Sequence, residues 1–477
     1  MPYIEGIGRQ QAALLPARVD DYVEAGGIVR FIDAFVWSLP MEKLGFERSV
    51  PAATGRPGYD PRMMLGLLIY GFVNGVTSSR KLERETGRNM EVIWLMQTLR
   101  PDFKTISDFR RDHKKALLGV MGEFTKMCRR EGMVRGELVA IDGSKFRAVN
   151  SSDRNYSLSK LERLQKRIEQ RIEEYLRQIE ENDAAESDQA PPLTREEMEQ
   201  KLARLRERKE NYQELIERLH KSGDKQISTT DAESRLMKMR RGMDVCYNAQ
   251  MAVDSQHKLI VAIDVTNEVT DQQQLSGMAQ KAKATLDVES LEVVADRGYS
   301  NSVELAACEA AGVRTYVPQP EWRRNEKNGL YPKEAFDYDE QSDTYGCPAK
   351  QTLRFRFQSR SRNKRMVRYY RTDACPQCPL RASCIGPKKK YRRLGRRADE
   401  RSITAAARRA AARPEVMSRR KALVEHPFGS IKRWINGGYF LLKGLDGVRA
   451  EFSLAALAYN IKRVWNLFPA NLVPATS

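Results

Sequence analysis

The stretch Leu138-Val139-Ala140-Ile141-Asp142-Gly143-Ser144 decides how the rest of the chain is read. Its apolar run has the length of a buried strand, and Asp-Gly-Ser is turn chemistry, so the spacing predicts a strand that ends by presenting Asp142. Two further strands are expected at 246–253 and 259–265, with the polar Asp254-Ser255-Gln256-His257 as their hairpin turn. A helix over 271–286 follows, and then a second apolar run, 291–295, which also ends in an Asp, Asp296. A helix over 302–311 and a strand over 314–317, stopped by Pro318 and Pro320, complete the order three strands, helix, strand, helix, strand. In that topology the first and fourth strands are neighbours in one mixed sheet. Asp142 and Asp296 would then emerge at the same edge.

The chain around this core has 477 residues, a length that suits two to four domains. Lys and Arg number 82 against 63 Asp and Glu, and a net charge of +19 favours a polyanionic partner such as nucleic acid over acidic substrates or a membrane surface. The longest apolar runs, 63–73 and 452–461, fall short of the roughly 20 residues a membrane-spanning helix needs. The N-terminus MPYIEGIGRQ lacks the basic, then apolar, then small-residue pattern of an export signal, so a cytoplasmic location is expected. Seven Cys, odd in number and partly clustered, suit reduced thiols or a metal site better than a disulfide framework.

Residues 1–135 read as a helical domain, with apolar spacing of three and four in 29–39, 61–73, 80–85 and 91–99 and with Asp60-Pro61 as a helix start. The core is expected in two parts, 136–156 and 228–321. Between them, 157–227 carries apolar residues at 158, 161, 164, 168, 172, 175, 176 and 179 and again at 198, 202, 205, 212, 215, 216 and 219. That pattern is a helical hairpin, with 182–193 as its turn and Thr194 with Glu197 capping the second arm. It is either a solvated coiled-coil spacer or a surface for dimerisation or DNA. A second insertion, 322–413, is basic and weakly periodic and holds Cys347, Cys375, Cys378 and Cys384. Cys375-Pro-Gln-Cys378 has knuckle spacing, and the other two Cys could complete four thiolates for Zn²⁺; the alternative is reduced Cys in a small basic unit.

From 388 to 421 there are 14 Lys or Arg against three acidic residues, leading into Val424-Glu425-His426-Pro427-Phe428-Gly429 in a C-terminal segment, 414–477. With few interleaved aromatics, this run suits contact with phosphates rather than base stacking. Glu425 is expected near a helix start, with Pro427 in the first turn and Ile431, Trp434 and Ile435 continuing an apolar face. Cleaving a phosphodiester bond with divalent ions needs several carboxylates close together, because hard Mg²⁺ wants oxygen ligands. Asp142, Asp296 and Glu425 are the candidates. On spacing alone, each Asp is also an ordinary turn residue.

The sequence resembles bacterial insertion-sequence transposases with an Asp-Asp-Glu triad, most closely the insertion sequence 1182-type branch of the class with a Tyr, Arg, Glu, Lys signature around the Glu. The matching segments are GRPGYDPRMMLGLLIYGFVNGVTSSRKLERE (55–85), RPDFKTISDFRRDH (100–113), AIDGSKFRA (140–148), YNAQMAVD (247–254), ADRGYSN (295–301), VEHPFGSIKRW (424–434) and EFSLAALAYNIKR (451–463), spread in order along nearly the whole chain. The resemblance implies an α/β, RNase H-like core with strand and helix order βββαβαβα. It implies that Asp142, Asp296 and Glu425 bind two Mg²⁺ ions, or Mn²⁺, one activating water or a DNA 3′-hydroxyl and the other stabilising the leaving oxygen. Lys432, seven positions after Glu425 and about two turns along the same face, would hold a transposon-end phosphate. Lys421 stands in the Arg slot and Ser418 in the Tyr slot, keeping a charge without bidentate geometry that Arg420 could supply; Arg433 joins the expected DNA contacts, and Arg297 is either a DNA contact or part of a structural ion pair. His426 is expected to pack rather than ligate, and Asn248, Gln250 and Asp254 to serve the hairpin and core edge.

The implied activity is recognition of an insertion sequence's terminal inverted repeats, metal-dependent cleavage at the ends, and strand transfer to target DNA. The implied setting is a homodimer on double-stranded DNA in a bacterial, nucleoid-associated location. The alternatives are a non-catalytic DNA-binding protein descended from such an enzyme, and a nuclease without strand transfer.

Overall fold

The computed structural model describes residues 18–47, 58–184, 195–240, 242–319, 329–360, 366–397, 400–435 and 437–468. The chain opens with helices α1 (Ile28–Trp37), α2 (Met41–Leu44), α3 (Pro61–Val73), α4 (Ser79–Glu85), α5 (Met90–Leu95), α6 (Phe103–Asp112) and α7 (Lys114–Arg130). Asp60 starts α3 by accepting a hydrogen bond from Arg62 N at 2.7 Å, and Pro61 takes the first helical position, where no amide is needed.

Strand β1 (Leu138–Arg147) is followed by β2 (Asn155–Ser157), the long helices α8 (Leu158–Ala184) and α9 (Arg195–Ser222), and β3 (Gln226–Ser228). β2 and β3 pair with each other and tie the base of the two-helix arm. Leu161, Ile168, Leu205, Tyr212, Leu215 and Leu219 form the arm's own small core. The expected cap at Thr194 lies outside the described residues.

Then come β4 (Arg235–Met239), β5 (Gly242–Asp254), β6 (Ile260–Thr266), α10 (Leu275–Leu286), β7 (Leu291–Val294), α11 (Ser302–Ala310) and β8 (Val313–Tyr316). In the main sheet the order is β4-β5-β1-β7-β8, with β6 also paired to β5. β5 runs antiparallel to β1 and to β6, while β7 is parallel to β1 and β8 parallel to β7.

β1 corrects the sequence reading: the strand does not end at Asp142. Gly143, Ser144 and Lys145 stay paired with Gln250, Ala249 and Asn248, because the antiparallel partner β5 is long enough to hold them. Only the parallel partner stops, with Ala140 opposite Val294 as the last pair.

Residues 329–397, read from the sequence as weakly periodic, form a second sheet of β9 (Asp337–Asp339), β10 (Thr344–Gly346), β11 (Thr352–Arg360), β12 (Met366–Arg371) and β13 (Leu394–Arg397), each antiparallel to its neighbour. Of its strands only β11 alternates, with Leu353, Phe355 and Phe357 separated by Arg354 and Arg356. Arg368 lies over the Phe355 ring at 4.7 Å and Arg393 over Phe357 at 5.7 Å. β11 carries the period of a strand, while β9, β10, β12 and β13 are too short or too irregular to show one.

Helices α12 (Glu400–Ala412), α13 (Pro414–Ser430) and α14 (Leu445–Leu467) close the chain. α14 is buried almost all round between 447 and 461, packed against α3, α7 and β6, so the N-terminal helices and the sheet share one core. No helix of the described residues is long and apolar enough to cross a membrane.

Candidate active site

Along a strand, side chains alternate between faces, so Asp142, Ser144 and Phe146 share one face of β1 while Gly143 and Lys145 share the other. Helix α13 covers the first face: it packs against β1, β5 and β7, and Phe146 meets Phe428 at 6.4 Å between ring centroids. The edge of β1 away from β5 is paired to β7 at residues 138–140 and bridged to Tyr439 at Arg147. Asp142 lies between these two pairings. Asp296 comes after β7 and Ala295 and, like Asp142, stands two residues beyond the last paired position, Val294 opposite Ala140. The parallel register thus sets the two Asp on one sheet edge.

Asp142 is pushed up to about 6, first by burial, with the carboxylates of Asp296 and Asp271 adding to the effect and Arg420 opposing it. Its two oxygens are held separately: Oδ1 accepts from Gly143 N at 2.8 Å, and Oδ2 faces Arg420 Nη1 at 3.3 Å. Asp296 Oδ1 accepts from Gly298 N at 2.8 Å, which fixes the carboxylate at the start of the turn Arg297–Tyr299.

Asp271 was placed inside a helix by the sequence reading but precedes α10, and it is a site residue that reading missed. Its Oδ1 accepts from Asn248 Nδ2 at 2.6 Å, Gln250 Nε2 at 2.7 Å and Lys145 Nζ at 3.5 Å. Gln250 in turn accepts from the buried Tyr299 hydroxyl at 2.5 Å. A Cβ at Gly143 would stand 2.2 Å from Gln250 Nε2 and 2.6 Å from Asp271 Oδ1, so any side chain beside Asp142 would have to push these two polar groups aside. Asp271 and Gln250 therefore brace the back of the strand whose front carries Asp142. The signal available in the sequence was the pair of polar residues, Asn248 and Gln250, pointing the same way from an otherwise apolar strand. Asp254 takes the hairpin role expected of it, accepting from Gly136 N and Gln256 N.

Glu425 is placed differently from the sequence expectation. α13 begins at Pro414, so Glu425 is near its C-terminal end, and Pro427 lies inside the helix rather than in its first turn. Five residues separate Arg420 from Glu425, which at 100° per residue turns the two side chains about 140° apart. Arg420 points at Asp142, whereas Glu425 is 63% exposed and pairs with Lys421 at 3.7 Å. Among the described residues, no three His, Cys, Asp or Glu side chains stand together as a ready metal cluster.

After Pro427 removes one helical amide, the helix loosens into a π turn at Ile431–Ile435. Lys432, in that turn, reaches inward: Nζ donates to Ser144 Oγ at 2.7 Å and to Lys145 O at 2.9 Å, and burial lowers its affinity for the proton. Trp434 is 66% exposed instead of continuing the apolar face, with Arg433 over its ring at 4.9 Å. His426 is exposed, with its Nδ1 2.9 Å from the Tyr459 hydroxyl.

Several cations of the basic run serve the protein itself. Arg409 binds Thr315 O, Arg413 binds Glu292 and the Tyr316 hydroxyl, and Arg392 binds Cys384 O and Tyr331 O. Lys388, Lys389, Lys390, Arg393, Arg401, Arg408, Arg419 and Lys421 are the exposed ones among the described residues.

Against known proteins, residues 346–465 match the family model described as the transposase DDE domain, and residues 17–112 match the one described as a transposase domain (DUF772). The two matches support a DDE transposase family, and transposase function is the class of activity they support. The first match includes Glu425 and the four Cys of the second sheet but neither Asp142 nor Asp296. No curated protein matches the chain. A solved structure similar in outline is a cryo-EM structure of the piggyBac transposase synaptic complex with hairpin DNA, at 9% identity over 92% of this chain and 72% of that one. Its TM-score of 0.30 is too low to carry any argument.

Proposed function

We propose that the protein is a DDE-type transposase with an RNase H-like catalytic sheet, which binds the terminal inverted repeats of an insertion sequence, cuts the phosphodiester bond at each end and joins the ends to target DNA. The observation that carries this reading is the pair Asp142 and Asp296 in register on one sheet edge, with Asp142 raised to about 6 by burial and held there by Asp296 and Asp271 against the larger opposing charge of Arg420. Such crowding fits a divalent cation. Like charges in a low-dielectric site are costly unless a positive charge lies between them. Asp142 and Asp296 are the residues that would hold Mg²⁺ or Mn²⁺, with Glu425 joining from α13. The ions would supply a nucleophile activated at neutral pH and charge stabilisation at the leaving oxygen.

The chain's own groups do the positioning. Asp271, Asn248 and Gln250 hold β1 in place from behind, Arg420 balances Asp142, and Lys432 brings a positive charge to Ser144 on the Asp142 face. Arg297, Arg420, Lys421 and Arg433, with the exposed cations of 388–421, supply phosphate contacts. Two ends must be brought together for joining, so two copies act on one DNA complex, in a bacterial cytoplasm where the nucleoid is at hand.

The test is cleavage of a labelled duplex carrying the element's own ends, with Mg²⁺ and with EDTA, comparing wild type with Glu425→Gln. Metal-dependent cuts at the ends, followed by joined products and absent in the variant, are expected. Tight binding with no cut favours the non-catalytic DNA-binding alternative, and cuts without joined products favour a nuclease.

A further inference from the structure

The second sheet carries a feature that the proposed reaction does not use. It is not a metal site: among the described residues no metal cluster forms, so Cys347, Cys375, Cys378 and Cys384, each free of disulfides, take the alternative of free thiols in a small basic unit. The feature is a sheet face. Tyr345, Leu353, Tyr370 and Leu394, neighbours across β10 to β13, form the core on one side. Side chains alternate along a strand, so Tyr369 and Arg371 belong to the other side. In β11 the register shifts between Phe355 and Phe357, and this bulge at Arg356 turns Phe357 onto that other side, opposite Tyr369.

This outer face is a pair of rings framed by cations. Phe357 stacks on Tyr369 with 4.9 Å between centroids and 22° between planes, and Phe357 remains 42% exposed. The Tyr369 ring lies across Gly395, where a Cβ would stand 3.2 Å from Tyr369 Cε1 and 3.0 Å from Val367 Cγ1, so the glycine leaves the ring its place. Arg393 lies over Phe357 at 5.7 Å, and Tyr391 carries Arg371 at 4.2 Å and Lys390 at 5.5 Å. Arg354, opposite Arg371 in the ladder, is exposed, as are Lys390 and Arg393. Asp373 pairs with Arg356 and with Arg371 at the end of β12.

Exposed aromatic area favours a flat apolar ligand, and the surrounding guanidinium and ammonium groups favour an anion. Bases joined by phosphates are both at once. A duplex does not fit, because its bases already cover one another's faces, whereas an unpaired base can continue the stack that Tyr369 and Phe357 begin. We infer that this face binds single-stranded DNA, with an unpaired base on Phe357 and the flanking phosphates on Arg354, Lys390 and Arg393. The basic run 388–421 has few aromatics of its own, and the strands beside it supply them. DNA rather than RNA as the partner rests on the transposase reading.

The test is binding to the full chain, in EDTA so that neither Mg²⁺ nor cleavage enters, of a labelled DNA single strand of about 16 nucleotides, its duplex, the same strand with abasic sites, and RNA of the same sequence. The wild type should hold the intact strand about ten-fold more tightly than the abasic one. Phe357→Ala should lose that factor while binding the duplex within roughly two-fold of wild type, and Phe357→Trp should restore it. A strand carrying 5-iodouracil, irradiated in the complex, should crosslink to Phe357. Equal affinity of wild type and Phe357→Ala for the single strand, or of wild type for intact and abasic strands, overturns the inference, and tighter binding of the RNA overturns the partner. End cleavage is read separately: cuts at the ends without the stacking preference remove this site alone, and the preference without cuts leaves the site standing while the transposase reading falls.

Discussion

Asp142 and Glu425 belong to the same resemblance but live in opposite surroundings. Asp142 is fixed by a strand, braced from behind by Asp271 and Gln250 through Gly143, and raised to about 6 by burial. Glu425 is on a helix surface, largely in water, and makes an exposed ion pair with Lys421. A third carboxylate, Glu451, separates burial from site-making. It is raised to about 7 by burial alone, but it is satisfied by Leu441 N and Leu442 N and by the charge of Arg110 rather than crowded by other acids. Glu451 has donors and no acid beside it, whereas Asp142 has Gly143 N and Arg420 but also Asp296 and Asp271, and it is the crowding of acids that a cation would relieve.

The largest expected effect tests the Asp142 side of this contrast. Asp142→Asn should reduce end cleavage by about a thousand-fold or more while leaving DNA affinity within roughly two-fold, because the neutral amide removes a metal ligand but no phosphate contact. A parallel loss of binding and folding would make Asp142 structural. Glu425→Gln should reduce cleavage by a comparable factor if α13 presents Glu425 to the two Asp when DNA binds. A loss below about ten-fold would break the comparison and take Glu425 out of the metal site.

Lys432→Ala should weaken end binding by about ten-fold and lower the slope of log affinity against log salt by about 1 if its ammonium meets a phosphate. An unchanged slope would leave it only its role beneath β1, on Ser144 and Lys145. The smallest effect concerns Glu451 and stability. Its folded-state value is above its ordinary one, so folding favours the protonated acid. Its contribution is greatest below about 4.5, declines as pH rises toward about 7, and is flat beyond, by up to about 3 kcal/mol. Urea unfolding of wild type and Glu451→Gln at pH 5 and pH 8 checks this. The variant should lose the decline, and an equal decline in both would assign it to other groups.

The same contrast explains what the sequence revealed. β1, the β5–β6 pair and β7 were legible because their apolar runs are buried on both faces, and Asp142 and Asp296 were legible because each follows such a run. The continuation of β1 past Gly143 was hidden, since only pairing with the long β5 keeps Asp-Gly-Ser extended. Asp271 was hidden because its role depends on side chains of another strand. The orientation of Glu425 depends on where α13 starts, at Pro414, and on the π turn after Pro427, neither of which a motif encodes. The second sheet was hidden because β9, β10 and β13 are only three or four residues long and β12 has no period of two, which left the alternation of β11 isolated.

The central claim is that the edge shared by Asp142 and Asp296 binds a divalent ion, and the most direct measurement is Mn²⁺ binding by electron paramagnetic resonance on the full chain with its end duplex, wild type against Asp142→Asn. The account predicts bound Mn²⁺ in the wild type and its loss in the variant. Equal Mn²⁺ binding by both proteins would contradict it.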